Sequence, residues 1–227
     1  MKYRDIEKNV DGVPYISKSN SKVLYDFIIK NKCKNILELG IAHGTASCYI
    51  AGALAEVGGQ LICVDLESVK EHFQPSAEEQ LGKLGLNKYV KIHRMKTGYN
   101  WFLHNEIKKL SNNKNNVCTL KYDLVIIDGP KNWTIDSSSF FLVDKVLKEN
   151  GWIIWDDYNW NYAGANKSRG STDGIMHNSL SEDELKLPHI KEIFELLVMQ
   201  HPNYGNFIIE ESGDWVWAQK IKENKVN

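Results

Sequence analysis

Between residues 35 and 158 of this 227-residue chain, short β-prone apolar runs alternate with helix-like segments, and that alternation limits the folds open to it. NILELG (35–40), QLICVDLE (60–67), YVKIHRMK (89–96), YDLVIIDG (122–129) and GWIIWDDY (151–158) read as strands. Helical patterns over 43–57, 76–84, 101–110 and 137–149 separate them. Near-continuous apolar strands spaced by helices predict an α/β fold, a parallel sheet with helices on both faces. The polar run SNNKNN after Leu110 reads as a surface loop. Beyond a further helix near 189–200 the pattern changes. NFIIEES and DWVWAQK follow one another with only a Gly213-Asp214 turn signal between them. So short a connection cannot be a crossover, so these two runs predict an antiparallel hairpin closing the sheet.

Composition is that of one ordinary domain, 42% hydrophobic and 25% charged. The expected organisation is a helical extension over 1–33, the main domain over 34–220 and a tail over 221–227. Residues 158–187 form an irregular insertion of a length that is usually functional. A formal net charge of −1 gives no global field for nucleic acid or an anionic membrane. Cys33, Cys48, Cys63 and Cys118 lack any metal-type spacing and read as free thiols, most of them buried. With no leader-like or membrane-length apolar segment, the expected location is cytoplasmic.

The first strand runs into a loop, ELGIAHGT, with Glu38 at its end and glycines at 40 and 44. A strand, a glycine loop and a helix let a ligand approach the backbone and meet the positive helix N-terminus. The dinucleotide pattern GxGxxG is absent, since Ala42 stands at the middle glycine, and no GK[ST] follows for a phosphate loop. The second strand ends in Asp65, about 25 residues past Gly40, a spacing suited to hydrogen-bonding a ribose.

With Glu38, Gly40 and Gly44 in an E-x-G-x-x-x-G loop, Asp65 after the second strand and the terminal hairpin, the chain resembles the class I S-adenosylmethionine-dependent methyltransferases over roughly 34–220. The resemblance implies a Rossmann-like methyltransferase fold with a seven-stranded, mostly parallel sheet. It implies that the loop passes the amino-acid end of S-adenosylmethionine and that Asp65 takes the ribose. Thr97 and Gly98 fall where the family contacts adenine. His43, inside the loop, is either a helix-start residue or a cover for the cofactor's carboxylate. Homodimerisation through the N-terminal helix, common in related enzymes, is a further expectation.

Asp128 ends one strand, and Asp156 and Asp157 end the next. In a parallel sheet these ends share the carboxyl edge, and three carboxylates there resist ionisation unless a cation joins them. An oxygen-only donor set favours a hard ion over zinc; Mg²⁺ is the expected one, although the same carboxylates suit Ca²⁺ and Mn²⁺. Two metal-dependent branches of the family look similar here. Asp128 and Lys131 match the Asp-x-x-Lys of catechol- and caffeoyl-type O-methyltransferases, although Asp157 stands where those usually have Asn. IDG and DDY together match the macrocin-type sugar O-methyltransferases. The resemblance implies a metal on Asp128, Asp156 and Asp157, with Asp128 also near the cofactor and Lys131 as the base. The substrate would be a small hydroxylated molecule, either a sugar-containing metabolite or a catechol-like ring. Trp133, Trp160, Tyr162 and Arg169 are the candidate substrate contacts, Arg169 lying within a KSRGST run. The other histidines, His189 among them, show no ligand spacing. Alternatives are a metal-independent methyltransferase, a nucleotide-binding oxidoreductase and a non-catalytic module of the same fold.

Overall fold

Ile36, Leu37 and Leu39 of the first strand are all fully buried, and because neighbours along a strand point to opposite faces, both faces of the sheet are covered there. In the computed structural model residues 1–112, 114–164, 179–212 and 214–221 are described. The chain divides into two compact units, Met1–Lys96 and Thr97–Asn227.

In the first unit, β1 (Asn35–Leu39), β2 (Gln60–Leu66) and β3 (Val90–Met95) pair in parallel, with Leu37 beside Ile62 and Asp65 beside Arg94. Two helices precede them, α1 (Tyr3–Val10) and α2 (Lys18–Asn31). The Ser17 hydroxyl caps α2 by accepting from the Asn20 N–H, and Lys32 in the left-handed region ends it. Helix α3 (Thr45–Val57) is rich in small residues, and α1 packs on it. At Gly52 a Cβ would stand 2.1 Å from Ile6 Cδ1, so the glycine lets the two helices approach. After β2 the chain makes α4 (Glu67–His72) and α5 (Ala77–Lys83), the latter opened by a reciprocal Ser76–Glu79 capping box.

The second unit starts with α6 (Tyr99–Leu110) and a two-residue hairpin, β4 (Ser111–Asn112) with β5 (Val117–Cys118). Strands β6 (Tyr122–Ile127) and β7 (Leu147–Trp155) run parallel, joined through α7 (Trp133–Asp144). Short helices α8 (Glu182–Lys186) and α9 (His189–Ile193) lead to β8 (Tyr204–Ile209) and β9 (Val216–Lys220). The last two pair antiparallel with each other, and β9 pairs antiparallel with β7. Trp155 packs against Phe140 and Phe194, ring centroids 6.0 and 5.7 Å away, and each such ring contributes on the order of 2–3 kcal/mol of burial. The main sheet has seven strands in the order β3-β2-β1-β6-β7-β9-β8, mostly parallel and closed by the antiparallel hairpin. Among the described residues no helix is long and apolar enough to cross a membrane.

Three sequence expectations are corrected. The SNNKNN segment contributes to the β4–β5 hairpin instead of being loop throughout. The helix expected over 137–149 begins at Trp133, because the Asn132 side chain caps it, and stops at Asp144. Residues 147–149 belong to β7, where Leu147 pairs with Tyr122 across a register shift and Asn150 takes a positive φ of 63°. The helix expected over 189–200 is regular only to Ile193 and widens into a π-turn over Phe194–Val198.

Candidate functional site

The glycine loop is held by backbone geometry that its sequence selects. Gly40 and Gly44 have φ of 88° and 72°, and Ala42 between them sits at 45°. A Cβ at Gly44 would meet Ala77 Cβ at 2.5 Å, so the residue is glycine for space as well as for backbone. Asp65 reaches into the loop. Its Oδ2 accepts from the N–H groups of Ile41 and Ala42 at 2.8 and 3.0 Å, while Oδ1 accepts from Leu66 N–H at 2.7 Å. No side chain caps α3, and the buried Thr45 hydroxyl in its first turn has no partner among the described residues. Free amides and a spare hydroxyl at a helix N-terminus suit an anionic group, as the carboxylate of an amino acid would be.

Glu38 turns inward. Its side chain accepts from Ser47 Oγ at 2.5 Å and from Cys63 Sγ at 3.4 Å, with only 2% of the residue exposed. Burial pushes its carboxyl up to about 7, against the pull of those two donors. His43 lies between aromatic rings, stacked on Tyr15 at 5.6 Å and edge-on to Phe73 at 5.0 Å, and its Nδ1 is 2.8 Å from the Pro75 carbonyl oxygen.

In the second unit, Asp128, Asp156 and Asp157 converge, each offering a carboxylate oxygen within 4.8 Å of the others. The cause is the parallel register that sets Ile127 beside Trp155, so that the residues following both strands emerge together. Asp157 has a φ of 60°, a conformation that Asn and Asp tolerate better than other side chains. Lys131 is 4% exposed and donates to Asp128, with Nζ 3.4 Å from Asp157 Oδ2. Burial acts to lower its pKa, but Asp128, Asp157 and Asp156 outweigh burial and raise it. Asp128 and Asp156 are both raised, first by burial and then by the neighbouring carboxylates, against Lys131.

The turn between Asp128 and α7 is built from buried polar contacts. A Cβ at Gly129 would stand 2.3 Å from the Tyr99 ring, so glycine is required for that ring to fit. Tyr99 Oη donates to Asp136, whose other oxygen accepts from Asn132 N–H at 2.7 Å. The Asn132 side chain caps α7, accepting from Thr134 N–H at 2.9 Å.

Sequence and fold together identify the family. The sequence matches the family described as Methyltransferase domain over residues 37–158, more than half of the chain. The chain belongs to this methyltransferase family. No curated protein matches it in sequence. Among solved structures, the O-methyltransferase from Bacillus cereus in complex with SAH is 17% identical with a TM-score of 0.63, over 98% of this chain and 92% of that one. The O-methyltransferase TomG from Streptomyces achromogenes, involved in tomaymycin synthesis and solved in complex with SAM, is 16% identical with a TM-score of 0.60, over 96% and 87%. SAH-bound methyltransferase PaMTH1 from Podospora anserina is 15% identical with a TM-score of 0.63, over 96% and 86%. At such identities the likeness shows the methyltransferase fold.

Within this methyltransferase, the residues singled out from sequence occupy varied settings. Glu38, Gly40, His43, Gly44 and Asp65 share one loop region of the first unit, and Asp128, Lys131, Asp156 and Asp157 share one cluster of the second. Gly98, with φ of 95°, forms the turn before α6, next to Thr97. Trp133 is 38% exposed, whereas Tyr162 is buried, its hydroxyl donating to the Pro130 carbonyl and its ring 4.7 Å from Trp160. Arg169, with the rest of KSRGST, lies outside the described residues. Sequence reasoning missed Ser47, Cys63, Tyr99, Asn132, Asp136 and His189. Only Asn132, a cap-type residue before an apolar helix, carried a local signal.

Proposed function

We propose that this methyltransferase transfers a methyl group from S-adenosylmethionine to a hydroxyl of a small molecule, with a divalent cation, Mg²⁺ in preference to Ca²⁺ or Mn²⁺, at Asp128, Asp156 and Asp157. The observation that carries the O-methyl reading is the convergence of those three carboxylates around the buried Lys131 ammonium. The donor set is all oxygen and anionic, which fits a hard cation. When bound, the cofactor supplies a sulfonium-activated methyl group and the cation lowers the pKa of a coordinated hydroxyl.

The chain's own residues do the rest. The glycine loop and uncapped α3 amides hold the amino-acid end of the cofactor, with Glu38 fixing the loop from behind and His43 covering it. Asp65 keeps Ile41 and Ala42 in place and takes the ribose, while Thr97 and Gly98 border the adenine. Asp128, Asp156 and Asp157 would hold the cation beside the acceptor hydroxyl, and Trp133 and Trp160 offer apolar rings to the remainder of the acceptor. Among three carboxylates Lys131 is held as an ammonium. It becomes a base only when their charge is compensated, so its role and the cation's are linked. The acceptor is a sugar-containing metabolite or a catechol-like ring.

A second reading is favoured by the contacts of one residue. Lys131 already bridges Asp128 and Asp157 and offsets one of the cluster's negative charges, so in this reading the acids are held together by the ammonium and transfer proceeds without metal. Calorimetric titration with S-adenosylhomocysteine tests the cofactor. Micromolar binding, weakened about tenfold or more by Asp65→Ala, is expected, and no binding at millimolar ligand overturns the proposal. An acceptor screen with isotope-labelled S-adenosylmethionine, with and without excess EDTA, then separates the two readings.

A further inference from the structure

The turn carrying Lys131 is gripped by two aromatic side chains to which the reaction assigns no chemistry. Lys131 has a φ of 62°, in the left-handed region where a long side chain is disfavoured and stays only if its neighbours are fixed. On one side, Tyr162 Oη donates to the Pro130 carbonyl at 2.7 Å. On the other, the Trp133 N–H donates to His189 Nδ1 at 3.0 Å. That leaves the ring proton of His189 on Nε2, which lies 2.7 Å from the Glu184 carbonyl oxygen, so the imidazole is held at both nitrogens. The Tyr162 and His189 rings lie 5.4 Å apart at 59°, and both residues are buried. Neither approaches the turn through sequence proximity: Tyr162 stands 32 residues from Pro130, and His189 stands 56 residues from Trp133.

We propose that Tyr162 and His189 form a positioning pair that clamps the turn at Pro130 and Trp133 and thereby fixes the Lys131 ammonium on Asp128 and Asp157. With the peptides on both sides anchored, Lys131 cannot relax to an ordinary backbone conformation without breaking a buried hydrogen bond. Its side chain is therefore directed at the acids by the backbone, and not only drawn there by charge. The inference deepens the proposed role of Lys131 and rests on that reading for its significance. Its geometry stands independently of cofactor and acceptor.

Lysine labelling of the full chain with acetic anhydride, followed by peptide mass spectrometry, tests the clamp. Lys220 serves as an internal reference, being 9% exposed and engaged by the Asp144 carbonyl and carboxylate at 2.5 and 2.9 Å. In Tyr162→Phe and His189→Leu, labelling of Lys131 is expected to rise about fivefold, the factor for losing one net hydrogen bond, while Lys220 stays unchanged. In His189→Asn, whose Oδ1 can accept in place of Nδ1, Lys131 should stay within about twofold of wild type. No rise at Lys131, or an equal rise at Lys131 and Lys220, overturns the clamp, as does His189→Asn labelling as fast as His189→Leu. Failure to bind S-adenosylhomocysteine with a positive labelling result would remove the catalytic reading and leave the clamp standing.

Discussion

The Nζ of Lys131 lies 3.4 Å from Oδ2 of Asp157, so the ammonium is shared between that carboxylate and Asp128, to which it donates directly. The acid cluster is therefore not an open set of ligands but one with an internal cation. Any divalent ion that binds there must share the carboxylates with the lysine.

Replacing Lys131 with Met removes that charge and leaves three carboxylates facing one another. The variant is expected to lose about 2–3 kcal/mol at pH 8, less than a fully buried pair would cost because Asp157 is partly exposed. Mn²⁺ should restore more stability to the variant than it adds to wild type, because the ion no longer competes with an ammonium. Urea unfolding of both proteins with and without Mn²⁺ measures this. If neither midpoint responds to the ion, the cation leaves the reading.

Glu38 makes stability depend on pH in a defined direction. Burial raises its folded-state pKa from 4.5 to about 7, so within that window the folded chain retains a proton that the unfolded chain has lost. Stability falls as pH rises from 4.5 to about 7, by up to about 3 kcal/mol, and is level beyond it. Glu38→Gln keeps an acceptor for the Ser47 hydroxyl and removes the titration. Unfolding free energies at pH 5 and pH 8 should therefore differ less in the variant than in wild type. Equal differences in the two proteins would place the pH dependence elsewhere.

Gly129 and Tyr99 are coupled through space. Gly129→Ala sets a methyl group 2.3 Å from the ring and should cost about 1–3 kcal/mol as the ring is displaced from Asp136. In a Tyr99→Ala background the same substitution has nothing to strike and should be near neutral. A double-mutant cycle by urea unfolding gives the coupling, and additive costs would contradict the packing described for this turn.

The loop and cluster residues were legible in the sequence because local signals mark them. Strand ends are where apolar runs stop, so Asp65, Asp128, Asp156 and Asp157 could be assigned to the carboxyl edge before any contact was known. The glycines at 40 and 44 marked a loop between strand and helix, and in the structure both take positive φ. The antiparallel end of the sheet followed from the shortness of one connection. Element ends were less readable. Residues 147–149 look helical by pattern, yet the strand begins at Leu147, which pairs with Tyr122 of β6, and that long-range pairing outweighs local preference.

What the sequence by itself determined was the α/β class, the parallel order broken by a terminal hairpin, and the residue types at each strand end. These follow from periodicity and short-range sterics, which act over a few residues. The tertiary structure alone decided that Glu38 faces Ser47 and Cys63, that IDG needs its glycine because the Tyr99 ring fills the Cβ position, and that Tyr162 and His189 hold the Lys131 turn. Each of these is a contact between residues 9 to 56 positions apart. Burial and hydrogen-bond partners at that range are set by how layers pack, and no local pattern in the chain encodes them.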